Sequence, residues 1–304
     1  MKSIFKSVIA IFLLTLSANG QEVVTARCNF IETSEGYTCS LEPLEVVGEN
    51  QTVEITGNHV EGLTNENVTR VYFTSGTNVS RVLTEIFTTF TNLEDFSMLT
   101  VGLQRIQEGA FENADNLVQL SINDNMLPEL ASNSFVNLSR LSHLDLGNNR
   151  IQIIHLNAFN GLTSLDHLFL GKNQLQSLHV DTFSQLPALR SIFLNTNQLT
   201  TISGRLFANN PRLAQVFIYN SGVDAIESDF LDNLPQLSII DLRGNNCIDA
   251  AFSIDEDNTI DMIRPRFDVC FNNFPGNNET KTFTIELRGS LILRDENGNI
   301  VVEL

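Results

Sequence analysis

Leu141-Ser-His-Leu144-Asp-Leu146-Gly-Asn-Asn149-Arg-Ile151-Gln-Ile-Ile154 carries the pattern that decides the fold. Around Leu144 and Leu146 apolar and polar residues alternate, the period of a short strand, so Leu144 and Leu146 point to one face and His143 and Asp145 to the other. Ile151 and Ile154 turn the chain back, and Phe159 and Leu162 close the far side. One such unit cannot bury its own apolar set. It needs copies of itself to stack against.

The copies are there. Leucine recurs at Leu93, Leu117, Leu141, Leu165, Leu189, Leu213 and Leu237, and phenylalanine at Phe87, Phe111, Phe135, Phe159, Phe183 and Phe207, both at a step of 24, with Leu231 extending the second column. Columns in phase at such a period mean a solenoid whose coils build a parallel sheet with strands roughly 4.8 Å apart. Asn125, Asn149, Asn173, Asn197 and Asn245 form a third column where the strand exits into a turn. A buried turn leaves backbone N–H and C=O groups needing partners, and an amide supplies both kinds. Ser221 and Thr77 replace it in part, whereas Val101 cannot, so the repeat at Leu93 is expected to be the most irregular.

The pattern LxxLxLxxNxLxxLxxxxFxxL, nearly unbroken from Leu141 to Leu162 and from Leu165 to Leu186, resembles the typical class of extracellular leucine-rich repeat. It is similar to the repeats of secreted insect leucine-rich-repeat proteins and Toll-like ectodomains. The resemblance implies an α/β solenoid, a horseshoe with a parallel β-sheet on its concave face, disulfide-closed caps and an extracellular recognition role. It says little about the ligand, because function sits in sites grafted on a scaffold.

Met1 to Gly20 reads as a secretory signal peptide: Lys2 and Lys6, an apolar run from Val8 to Leu16, then Ala18 and Gly20. Residues 21–52 form an N-terminal cap, and residues 53–246 the solenoid, with two degenerate coils before the seven leucine-led ones. The first of these, from Val53 to Leu63, is a truncated coil. Residues 247–280 form a C-terminal cap, in which Asn258 is expected to cap a short helix that Pro265 stops. Residues 281–304, with alternating apolar positions and the turn Asp295-Glu-Asn-Gly298, read as a β-hairpin appendage.

Four cysteines allow three pairings. Only Cys28 with Cys39 and Cys247 with Cys270 suit a solenoid whose ends lie far apart, and an oxidising compartment would close both. Sequons at Asn50, Asn67, Asn78, Asn137 and Asn278 mark glycan acceptors of a secreted protein, and none falls on an outward strand position from Leu141 to Leu237. The formal net charge is −18. That balance argues against nucleic acid or anionic lipid as a partner, since phosphate contacts need Lys and Arg. No other stretch is long and apolar enough for stable membrane insertion.

Function is sought on the outward strand positions. Phe169, Phe193 and Phe217 share one column on three consecutive strands, beside Tyr219. An exposed apolar ladder of this kind marks a binding surface, or else cross-strand packing or a face covered by another segment. His143 and His167 are neighbours on adjacent strands with Asp145 close by, a set that suits pH sensing or metal but also ordinary solvated polar positions. The expected ligand site is therefore Phe169, Phe193, Phe217, Tyr219, His143, His167 and Asp145, with no cofactor and no metal.

Catalysis finds no support. Gly-x-Ser-x-Gly, His-Glu-x-x-His and phosphate-loop motifs are absent. Alternation puts Ser142 and His143 on opposite faces, so no triad is expected. Asp145 and Asp241 lie four strands apart, roughly 19 Å, too far for paired acid–base work. The expected function is extracellular recognition of a protein or peptide ligand through the concave sheet, in innate immunity or developmental signalling. The alternative is a structural or adhesive matrix protein that self-assembles.

Overall fold

The computed structural model describes residues 22–48 and 50–275 in full and the backbone of residues 15–16, 284–287, 291–294 and 300–303. Its spine is a 13-stranded sheet among the described residues. Short strands at Asp95–Ser97, Gln119–Ser121, His143–Asp145, His167–Phe169, Ser191–Phe193, Gln215–Phe217 and Ile239–Asp241 run parallel, each pairing with the residue 24 positions on. The stack is an α/β leucine-rich-repeat solenoid with the sheet on its concave face, as the 24-residue period predicts. All seven lead leucines are buried.

Two internal columns hold the coils in register. The rings of Phe87, Phe111, Phe135, Phe159, Phe183 and Phe207 stand 5.8–6.2 Å apart from coil to coil, each 1% exposed or less. A fully buried side chain of this size contributes roughly 1.5–3 kcal/mol. The column ends differently from expectation. Leu231 is buried, but Phe230 supplies the ring that meets Phe207, at 6.0 Å, because a 3₁₀ turn over Phe230–Asn233 brings both residues inward.

The asparagine column is the second. Asn173 Nδ2 donates to the carbonyls of Leu146 and Leu170, while its Oδ1 accepts from Ile151 N–H, so one amide ties two coils together. Asn125, Asn149, Asn197 and Asn245 repeat the arrangement. Ser221 Oγ takes over in its coil by donating to Leu194 O. At Val101 the backbone replaces the missing amide: Val79 N–H donates to Val101 O at 2.6 Å, and Asn125 Oδ1 accepts from Val101 N–H. The repeat at Leu93 therefore keeps its strand.

The ends are closed by antiparallel strands. Gly36–Leu41 leads the parallel array by pairing with Val68–Phe73, and Glu22–Thr33 covers it as a hairpin partner. The Gln51–Thr56 strand, which opens the segment from Val53 to Leu63 expected as a truncated coil, joins the sheet off its main path by running parallel to Glu22–Arg27 and not to a coil strand. The first place on the concave sheet is already taken by Gly36–Leu41, and His59 is held under the hairpin by the Phe30 ring at 4.0 Å and the Tyr37 hydroxyl. At the other end Ala251–Ser253 lies antiparallel to Ile239–Asp241.

Both cap disulfides, Cys28–Cys39 and Cys247–Cys270, are formed. The C-terminal cap corrects two details. The helix Ile260–Ile263 is preceded by Thr259, while Asn258 Nδ2 turns back to Ser253 O. Pro265 does not stop the helical run but opens the 3₁₀ turn Arg264–Phe267, which leads into Asp268–Asn273, since proline fits the first turn of a helix. Three antiparallel strands follow, Thr284–Leu287, Leu291–Arg294 and Ile300–Glu303. The turn Asp295 to Gly298 lies outside the described residues. So does the segment 1–20, expected as a signal peptide, apart from Thr15–Leu16, a two-residue strand beside Glu22–Val23.

Candidate functional site

The concave sheet brings the expected site residues onto one face. Cross-strand partners put Asp145 beside Phe169, Phe169 beside Phe193, Phe193 beside Phe217 and Phe217 beside Asp241. The three rings stack at 4.5 Å per step and within 13° of parallel. They are half-buried rather than exposed, because each inner face covers its neighbour and leaves the ring edges to solvent. Tyr219 stands in the adjoining column, also half-buried. A three-ring ladder thus has one outer face at Phe169, on the side of Asp145, and one at Phe217, on the side of Asp241.

His143 and His167 stack at 4.5 Å in the next column. Burial, and then the neighbouring His167, lower the His143 pKa, with Asp166 opposing them. His167 Nε2 lies 3.7 Å from Asp166 Oδ2. Stacked face to face, the two imidazoles do not converge on one point. Among the described residues no group of three or more His, Cys, Asp or Glu side chains is placed to hold a metal. One expectation fails here: the Ser142 hydroxyl does reach His143 Nδ1, at 2.8 Å. Ser142 stands just before the strand His143–Asp145, where the alternation of faces does not yet hold. Asp145 is engaged elsewhere, accepting Gly147 N–H at 2.9 Å, so the contact does not extend to a triad through that carboxylate.

The two carboxyls that flank the ladder are tuned in opposite directions. Burial pushes Asp145 up, the charge of Asp124 adds to this, and the Gly147 N–H opposes it. Asp241 is held low, chiefly by its hydrogen bonds with the Arg243 guanidinium.

A column that the sequence reading passed over completes the site. Thr100, Asp124, Asn148, Lys172, Thr196 and Asn220 all have positive φ, between 50° and 57°, at a step of 24. Each sits where the strand leaves for the asparagine turn. Aspartate and asparagine tolerate this conformation, and their spacing was the available signal. Asp124, Asn148 and Lys172 from this column join Asn123, Asp145, Asn195, Phe169, Phe193, Gly147 and Gly171 around a hollow of about 220 Å³. Both glycines matter here: a Cβ at Gly171 would stand 2.7 Å from Asn195 Oδ1, and one at Gly147 would stand 3.1 Å from Asp145 Oδ1. A larger hollow of about 410 Å³ lies at the N-terminal end, but its Arg70 is already paired with Glu35 and Asp95.

The sequons Asn50, Asn67, Asn78 and Asn137 are all exposed, and Asn278 lies outside the described residues. No described helix is long and apolar enough to cross a membrane.

Comparison with known proteins agrees with this architecture. The family model for leucine rich repeat matches residues 91–151, 115–175 and 170–218. No curated protein matches the chain significantly in sequence. Among solved structures, it is similar to a chain of the LRIM1/APL1C complex (TM-score 0.54, 18% identity, 74% of this chain and 43% of that one). A chain of the mouse RP105/MD-1 complex gives TM-score 0.55 and 20% identity over 60% of this chain and 31% of that one. A chain of the TLR13–ssRNA13 complex gives 0.54 and 23% over 72% and 33%. This chain spans less than half the length of each, and the likeness is one of fold. The repeats that build it are leucine-rich repeats, and the matching family is a repeat scaffold, not a catalytic one.

Proposed function

We propose that this is a secreted, N-glycosylated recognition protein of the insect extracellular type that binds a protein or peptide ligand through its concave sheet, in innate immunity or developmental signalling. The carrying observation is the ladder of Phe169, Phe193 and Phe217, whose edges line the open face of the sheet with Tyr219 beside them. A ladder needed only for packing would sit inside, where six other phenylalanines already do that work. The exposed sequons in the described residues lie off the strand positions of this face, so glycans there leave it clear. The similar structures are of proteins in complexes, which accords with a binding role. The fold supports recognition better than catalysis. The test is capture of partners from extracellular fluid by the wild-type chain and by the Phe193→Ala/Phe217→Ala variant, with folding checked by circular dichroism. A partner lost with the double variant supports the reading; unchanged capture by a folded variant overturns it.

The structural or adhesive alternative draws on the C-terminal cap, where Met262 is 65% exposed and Val269 57% exposed. Self-assembly through that end would give a size-exclusion mass well above one chain, reduced by Met262→Ser/Val269→Ser. A clean monomer favours the recognition module.

A further inference from the structure

The two ends of the phenylalanine ladder are built alike, with one difference. Asp241, next to Phe217, accepts the backbone N–H of the residue two positions on, Arg243, at 3.1 Å. Its two oxygens also take that residue's guanidinium, Nε at 2.9 and 3.2 Å and Nη2 on Oδ2. Asp145, next to Phe169, accepts the backbone N–H of its own second-next residue at 2.9 Å in the same way. That residue is Gly147, which has no side chain to offer. Asp145 Oδ2 takes no hydrogen bond among the described residues, and Asp145 and Gly147 both line the hollow.

We propose that this hollow receives the guanidinium of an arginine side chain from the bound protein or peptide, paired with the Asp145 carboxylate and lying against the Phe169 ring that lines it. The inference rests on the concave sheet being the binding surface, and it names the chemistry of the ligand. Shape supports a flat cation: the ladder's own step is 4.5 Å, so a planar group laid on Phe169 continues the stack. Guanidinium is planar, weakly hydrated and stacks on aromatic faces, whereas an ammonium is a compact, strongly hydrated charge. Charge supports it too. Asp124 lines the same hollow, its oxygens held by the Asn123 and Asn148 amides, and adds a second negative group. Lys172, exposed at the rim, forms no ion pair among the described residues and opposes any incoming cation. Both glycines keep the space open, and a side chain at either would close it.

The test titrates the full chain with acetyl-Gly-Arg-Gly-amide and its lysine and citrulline counterparts, following the ring resonances of labelled phenylalanines. The arginine peptide is expected to move the Phe169 signals saturably, with citrulline about 10-fold weaker, because the charge-assisted hydrogen bond is lost. Asp145→Asn, which keeps an acceptor for Gly147 N–H, should weaken the arginine peptide by a similar factor, and Lys172→Ala should tighten it a few-fold. Equal shifts from arginine and citrulline, or no effect of Asp145→Asn in a variant that still unfolds cooperatively, overturn the proposal. Partner capture that needs Phe193 and Phe217 but ignores Asp145 would sink the arginine slot alone and leave the concave surface standing.

Discussion

Two columns of phenylalanine run through this molecule at the same 24-residue step, and they do different work. The interior column, Phe87 to Phe207, is buried to within 1%, and its rings sit 5.8–6.2 Å apart from one coil to the next. The concave column, Phe169 to Phe217, is half-buried, and its rings touch face to face at 4.5 Å. Interior rings are wedges that set the spacing of coils. Concave rings lie on strands whose spacing the backbone has already fixed, so they stack at strand distance and show their edges to solvent. Periodicity alone marks a phenylalanine as repeated. Its side of the strand decides whether it supports the fold or the surface.

That contrast predicts unequal costs of truncation. Phe159→Ala leaves a cavity in the interior column and should lower stability by about 3–5 kcal/mol in denaturant unfolding. Next comes Asn173→Ala, which strands the Ile151 N–H and takes one of two amide donors from each of the Leu146 and Leu170 carbonyls, and should cost roughly 2–3 kcal/mol. Phe193→Ala on the concave face removes two stacking contacts and should cost only about 1–2 kcal/mol, while partner binding falls by an order of magnitude or more. A concave substitution as costly as the interior one would make both columns structural.

The smallest effects separate the two flanking carboxyls. Asp241 is held below its ordinary value by Arg243, so its contribution is present above the unfolded carboxylate pKa, near 4, and is lost as pH falls through the lower folded value. Asp145 is shifted the other way by burial: the folded chain holds its proton longer, and stability from that proton is lost as pH rises through the raised value. At neutral pH, Asp145→Asn should therefore raise the stability slightly and Asp241→Asn should lower it, each by about 1 kcal/mol. Melting curves from pH 3 to 7 check both signs.

Most of the fold was legible because stacking is a nearest-neighbour problem that repeats in the sequence. The leucine, phenylalanine and asparagine columns each appear as a step of 24, and the cap cysteines pair locally because the ends are remote. The misread parts are those without a period. Gln51–Thr56 has the spacing of a coil, but its partner is the long Glu22–Thr33 strand, a choice that only tertiary contacts make. Phe230 displaces Leu231 as the stacked ring through a local 3₁₀ turn. The site was legible as a column of rings but not as a hollow. Its walls include Asp124, Asn148 and Lys172, whose side chains reach the face only because their backbone is left-handed. Ser142 likewise reaches His143 from just before the strand, where strict alternation does not yet hold.

The most direct test is to measure unfolding and partner binding side by side for Phe193→Ala/Phe217→Ala and for the wild-type chain. A ladder that serves the surface predicts a double variant that still unfolds cooperatively, losing less stability than Phe159→Ala alone, and no longer holds its partner. A folded double variant that binds with wild-type strength would contradict it.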